Sequence, residues 1–188
     1  IKVLDGKLPL RCCQPGFSEG NTMEVQNIIV RKYKETDLPQ MVRIWNEVVA
    51  EGNTFPQTEL LDEESARAFF SSQTETAVAQ EKNSKELLGL YILHPNNIGR
   101  CGHIANASFA VSSQYRGLHI GEKLVRDCLE RAKNAGFKIL QFNAVVQSNI
   151  HARHLYERLG FICLGRIPGG FRAKNGGYET IYLYYIEL

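Results

Sequence analysis

Two clusters in this 188-residue chain have residue types and spacings that could do chemistry. The first is FAVSSQYRGLHIG, Phe109 to Gly121, where a strand breaks at a turn holding Gly117 and Gly121 and an amphipathic helix begins at once. A helix leaves its first N–H groups without intrahelical partners, and its dipole makes that end positive. A glycine-bearing turn feeding such an end is a cradle for phosphate oxygens, and Arg116 can face the same anion. The second cluster is SNIHARHLYERLGF, Ser148 to Phe161: an N-cap, a helix, a glycine stop and the start of a strand. Tyr156 in that helix carries a hydroxyl that can donate a proton at neutral pH, or it is a core aromatic.

The first cluster departs from the common nucleotide motifs. GLHIG lacks the three-glycine spacing of a dinucleotide fingerprint, and no acidic residue ends the strand Ile139 to Val146. Gly121-Glu122-Lys123 lacks the Ser or Thr that completes a Walker A loop. The plain alternative is a tight turn that uses glycine for its backbone freedom.

Other polar residues need a reason. Asn106 and Asn143 are amides in strands expected to be apolar, so each is either a satisfied core amide or part of a site. His103 has the intrinsic pKa of a general base, although a strand histidine is as readily structural. His151 and His154 sit three apart on one helix, but no Cys, Asp or Glu is placed to complete a metal set, so no metal is expected.

The elements that must position these residues are legible from periodicity. Ile28 to Val30, flanked by Arg31 and Lys32, reads as a strand. Thr36 or Asp37 caps a helix with Pro39 in its first turn, and Leu38, Met41, Val42, Trp45, Val48 and Val49 keep a 3.6 period until Gly52. A second helix runs around Glu63 to Phe70. Ala77 to Gln80 and Leu87 to Leu93 form a hairpin over the polar turn EKNSKE. A strand over His103 to Val111 leads into the cradle, and a helix from Ile120 stops at Gly136. A strand over Ile139 to Val146, with no long polar break, suits the middle of a sheet. A helix over Asn149 to Leu159 precedes strands at Phe161 to Ile167 and Tyr178 to Ile186, with a Gly-rich loop and an Asn175-Gly176 turn between them. The order β, α, α, β, β, β, α, β, α, β, β is a mixed α/β layer. Residues 1–22 have weak periodicity and read as a leader or disordered extension, leaving 23–188 as one domain.

Composition narrows the class. Net charge is +2 with Lys and Arg scattered, so no nucleic-acid partner is expected. No apolar run reaches the length of a membrane span, and the first residues are not patterned as a signal peptide. The five cysteines are odd in number and lack metal-ligand pairing, as in reduced thiols of a cytoplasmic protein.

On these residues the chain resembles the GNAT N-acetyltransferase superfamily. QYRGLHIG is similar to its pyrophosphate motif, Q/R-x-x-G-x-G/A, with Gln114 and Gly117 in place and His119 where the family prefers Gly or Ala. SNIHARHLYERLGF matches its second signature at Asn149, Ala152, Leu155, Tyr156, Gly160 and Phe161. The resemblance implies an α/β GNAT fold, a mixed central sheet of about seven strands flanked by about four helices. It implies acetyl-CoA as co-substrate. The backbone of Phe109, Ala110 and Val111 would pair with the pantetheine arm. Arg116, Gly117, Leu118, His119, Ile120 and Gly121 would hold the pyrophosphate. Asn149 would bond the pantetheine or the substrate side, and Tyr156 would be the general acid. GNTFPQ, YILHPNNIGRCGHIANASFAV and FNAVVQSN further resemble the fungal acetyltransferases of proline analogues, and IWNEVVAEGNTF resembles the phosphinothricin and methionine-sulfoximine acetyltransferases. In the fungal likeness Asn106 and Asn143 take positions that hold the substrate or a water, while Tyr156 stands in place of a Trp. The resemblance therefore implies a small-molecule amine as acceptor, with a homodimer through the last strands as a further expectation. The rivals are acetylation of a protein or peptide amine and a CoA-binding sensor without catalysis.

Overall fold

The computed structural model describes residues 27–188, so the leader expected at residues 1–22 lies outside the described residues. The elements are β1 (Ile28–Lys32), α1 (Leu38–Glu51), α2 (Glu63–Ser71), β2 (Glu75–Glu81), β3 (Leu87–Pro95), β4 (Ile104–Val111), α3 (Ile120–Asn134), β5 (Ile139–Val146), α4 (Ile150–Arg158), β6 (Ile162–Arg172) and β7 (Tyr178–Glu187). The order is the one expected from periodicity. Seven strands form one mixed sheet, ordered β1-β2-β3-β4-β5-β7-β6.

Two apolar layers cover the sheet. On one face α1 and α2 pack Met41, Ile44, Trp45 and Phe70 against Leu87, Leu90 and Ala110. On the other, α3 seats Leu124, Val125 and Cys128 against Leu88, Tyr91, Leu93 and Phe142. Central β3 is therefore buried on both sides, and Gly89 fills a place where a Cβ would lie 2.7 Å from the Ala110 carbonyl oxygen.

The feature that makes a site is the β4–β5 junction. Among the described residues it is the one parallel pair in the sheet, and it consists of two registers only, Ile104 with Ile139 and Ala105 with Leu140. Beyond them the strands diverge. β5 follows β7 instead and shifts register there between Phe142 and Val145, a bulge that turns it away from β4. Among the described residues, the edge of β4 from Asn106 to Val111 has no strand partner on that side. The crossover joining the two strands is α3, as a parallel connection requires.

Three local expectations change. Asp37 precedes α1 but makes no side-chain cap; its carboxylate accepts from Arg31 at 2.7 and 2.9 Å and from the Lys34 N–H at 2.7 Å. Burial alone would raise that carboxyl, and these bonds outweigh it and hold it below the usual carboxylate range. β5 is central yet exposes Asn143, because the splay opens one of its faces. β6 continues to Arg172 through the segment read as a loop: Pro168 to Gly170 form a bulge, Phe171 pairs again with Glu179, and the hairpin turn sits at Gly176 with φ 84°.

Candidate active site

A cleft of about 980 Å³ fills the splay, walled by β4, β5, the start of α3, α4 and the loop after α1. At its end beyond β4 lies the cradle. Gly117 has φ 83°, a conformation that disfavours a side chain, and a Cβ there would meet nothing within 4 Å. His119 is the N-cap of α3 in the left-handed region, φ 56° and ψ 18°, and makes no side-chain cap. The first N–H groups of α3 therefore remain free at its positive end. Arg116 lines the same end, with its Nη2 2.6 Å from Glu51 Oε1 of α1.

The left-handed backbone explains why glycine suits position 119, and it makes His119 a source of local strain. His119→Gly is expected to raise stability by about 1 kcal/mol, read as a melting temperature higher by a few degrees. Affinity for the phosphate-bearing ligand should persist, since the donors are backbone groups. A fall in melting temperature would mean that the imidazole makes a compensating contact.

The second cluster forms the opposite wall. Asn149 caps α4 by accepting the Ala152 N–H at 3.3 Å, which leaves its amide protons free in the cleft. Tyr156 packs its ring on Phe142 at 4.5 Å and Phe161 at 5.4 Å, and it lines the cleft. Burial, followed by the neighbouring Cys128 sulfur, pushes its phenol well above the ordinary value, so it stays protonated at neutral pH.

Asn106 and Asn143 face the cleft from β4 and β5 near the closed end of the splay. Asn106 is half-buried, and its Oδ1 accepts the Ala107 N–H at 2.8 Å. Asn143 is exposed rather than a core amide, and it is tied to Asn96 and Gln141.

Several expected residues sit elsewhere. Phe109 and Val111 line the cleft, whereas Ala110 is buried against the α1 face and can contribute only its backbone. Leu118 packs its side chain on the α3 core, so its share in the cradle is also backbone. His103 is an exposed turn residue before β4 and does not line the cleft, which removes the geometric case for it as base. His151 and His154 line the cleft, and no cluster of three or more metal-ligating side chains exists among the described residues. Periodicity missed the loop after α1: Asn53, Thr54, Phe55 and Pro56 form the third wall. Phe55 is anchored there by Trp45 at 4.5 Å, and Lys174 of the β6–β7 turn holds the last turn of α1 through the Ala50 carbonyl at 2.8 Å. Its signals in the sequence were the Gly52 helix stop and the GNTFPQ segment of the resemblance.

The cradle, the open strand edge and the half-buried tyrosine define a class: a receptor for a long ligand with an anionic end. Val111 and Asn106 are separated by roughly 17 Å of extended strand, room for an arm laid along β4. Comparison with known proteins agrees. Residues 39–161 match the acetyltransferase (GNAT) family. The N-acetyltransferase aca1 of Schizosaccharomyces pombe is 32% identical over 169 residues, covering 81% of each chain. A GCN5-related N-acetyltransferase structure from Kribbella flavida is 32% identical with TM-score 0.80, over 87% of this chain and 99% of that one. A phosphinothricin acetyltransferase from Sinorhizobium meliloti, solved with acetyl-CoA, shares the fold at 19% identity and TM-score 0.79, over 86% and 89% of the chains.

The chain belongs to the GNAT acetyltransferase family and is an acetyl-CoA-dependent N-acetyltransferase. Its residues fit the co-substrate, since the space at Gly117 that a side chain would fill is open and bordered by free helix N–H groups. No helix among the described residues is long and apolar enough to cross a membrane.

Proposed function

We propose that the acceptor is the amine of a small metabolite, an amino acid or a proline analogue, entering the cleft between Asn106 and Asn143. The observation that carries this reading is the pair of carboxamides set on the two diverging strands at the end of the cleft away from the cradle. The α1 loop, with Thr54, Phe55 and Pro56, lines the same cleft. The cofactor-side roles follow in this proposal. Residues Arg116 to Gly121 hold the pyrophosphate through backbone N–H groups, with the Arg116 guanidinium adding charge. The free edge of β4 over Phe109 to Val111 pairs with the pantetheine, and an N–H on that edge polarises the thioester carbonyl. Asn149 gives its amide protons to the pantetheine.

In the reaction the amine lone pair forms the C–N bond, the C–S bond breaks, and CoA leaves as a thiol. Tyr156 donates its hydroxyl proton to the sulfur as the C–S bond breaks and is reprotonated from water, so that one proton leaves the amine and one reaches the thiol. The carboxylates on the cleft wall, Glu51 and Glu122, are already paired with arginines, Glu51 with Arg116 and Glu122 with Arg126 and Arg158. Neither carboxylate is therefore a free base for the amine proton.

The test is CoA-thiol release across free amino acids, cyclic imino acids, polyamines and peptides. Turnover concentrated in free amino or imino acids supports the proposal, and turnover confined to peptides sinks it. Asn106→Ala and Asn143→Ala should each cost about 1–3 kcal/mol in kcat/KM for the amine. Thermal stabilisation by acetyl-CoA should be unchanged in both. Since Asn143 is exposed, its truncation should alter folding stability by no more than about 0.5 kcal/mol. Normal kinetics per folded molecule would move the acceptor site elsewhere.

A further inference from the structure

The cradle holds its cation already matched by an anion. Arg116 is placed to meet a phosphate there, yet its Nη2 lies 2.6 Å from Glu51 Oε1, and both side chains line the cleft. A guanidinium and a carboxylate in contact cancel at a distance, so the pair shows an incoming anion little net charge while it stays closed. Glu122, in the first turn of α3, is matched differently: Arg126 and Arg158 share it, which leaves positive charge over. Glu51 has only Arg116 as an ion-pair partner among the described residues.

The pair is one that can open. A single hydrogen bond holds it, and its side chains are 48% and 27% exposed, a setting in which an ion pair contributes little. Glu51 is the last residue of α1, at the negative end of the helix dipole, where a carboxylate is disfavoured. A phosphate offers the guanidinium fork two oxygens, and the N–H groups that open α3 favour the same anion. The backbone on both sides is pinned. Glu47 Oε1 accepts the Ser113 N–H at 3.1 Å, Lys174 Nζ donates to the Ala50 carbonyl at 2.8 Å, and the Lys174 N–H donates to the Gly52 carbonyl at 3.2 Å. The part left free to swing is the Arg116 side chain.

We infer that Glu51 is an internal competitor of the co-substrate: it occupies Arg116 in place of a phosphate, weakens the binding of acetyl-CoA and CoA alike, and takes the guanidinium back as CoA leaves. This rests on the cradle role proposed for Arg116 to Gly121, and it gives Glu51 a task that the proposed function does not. Acetyl-CoA and CoA carry the same pyrophosphate, so a cradle that grips one grips the other. A grip that is too tight retains the product and limits turnover. A carboxylate that recaptures Arg116 compensates part of what the protein loses when the phosphate departs, and so speeds release.

The experiment is titration calorimetry of CoA and of acetyl-CoA, without an acceptor amine, into the wild type, Glu51→Gln, Arg116→Gln and the double variant. Glu51→Gln keeps the size of the side chain and removes its charge. It should bind both ligands about threefold to tenfold more tightly than the wild type, and CoA should inhibit its turnover at a concentration lower by the same factor. Arg116→Gln should bind both at least about threefold more weakly. In that background the gain from Glu51→Gln should shrink to less than about twofold, since no guanidinium is left to compete for. Glu51→Ala stands in if Glu51→Gln does not fold, as judged by its melting temperature. Unchanged or weaker binding in the Glu51 variant means that the carboxylate aims Arg116 at the phosphate, and it overturns the inference while the cradle stands. A gain that persists in full without Arg116 means plain repulsion between Glu51 and the ligand, and also overturns it. Full-strength binding in Arg116→Gln, with an undiminished response to acetyl-CoA in Gly117→Glu, overturns the cradle itself and this inference with it.

Discussion

Gly117→Glu is expected to abolish the thermal stabilisation that acetyl-CoA gives the wild-type protein. A ligand that binds only the folded state stabilises it by mass action, about 2.7 kcal/mol at a hundredfold excess over Kd. For a chain of this size that is a rise in melting temperature of roughly 5–10 °C. The substitution acts in two ways. At φ 83° a side chain strains the turn that aims the N–H groups, and the open space beside Gly117 receives a carboxylate. That charge competes with the pyrophosphate for the positive end of α3. Strain alone would lower the melting temperature of the free variant by about 1–2 kcal/mol worth of stability without removing the ligand response. Measuring the protein with and without acetyl-CoA therefore separates the two effects. A shift as large as that of the wild type would place the co-substrate outside the cradle.

Tyr156→Phe should lower kcat by roughly tenfold to a thousandfold while leaving acetyl-CoA affinity and stability nearly unchanged. The ring contacts with Phe142, Phe161 and Tyr184 survive the change, at centroid distances of 4.5, 5.4 and 6.1 Å. The phenol is held above its ordinary value by burial first and by Cys128 second. Since a free thiol titrates near about 8.5, complete proton transfer from such a phenol to a free thiolate is uphill. The hydroxyl can serve by donating while the C–S bond is breaking, when negative charge develops on sulfur. Its titration also lies outside the neutral range, so the acid should impose no alkaline limb on kcat below about pH 10. A variant with full kcat would reduce Tyr156 to a packing residue and leave protonation to water.

How far the sequence reaches depends on whether the signal is local. The shape of the cradle was legible because a glycine turn entering a helix carries its own geometry: Gly117 needs its positive φ, and α3 supplies the free N–H groups whatever surrounds them. Tyr156 and Asn149, which line the cleft, belong to the second signature, whose cap, apolar spacing and glycine stop lie within one helix. The eleven-element order was readable because each amphipathic period is short-range, even though β6 ran on through the Pro168–Gly170 bulge that looked like a loop.

Other features needed the assembled sheet. The exposure of Asn143 comes from β5 leaving β4 after two registers, which depends on its bulge against β7, a strand about forty residues away in sequence. Pattern alone gave Asn106 and Asn143 as amides out of place; which of their atoms remain free is decided by Asn96 and Gln141 and by the Ala107 N–H. His103 had the right chemistry and the wrong place, since the turn before β4 directs it away from the cleft. The loop from Asn53 to Pro56 became a wall only because Phe55 is anchored on Trp45 and Lys174 reaches α1 from the far hairpin. Sequence by itself thus determined the parts whose function resides in one turn and its helix. The end of the cleft proposed for the acceptor is shaped by packing and pairing among residues distant in the chain, and only the tertiary structure brings those together.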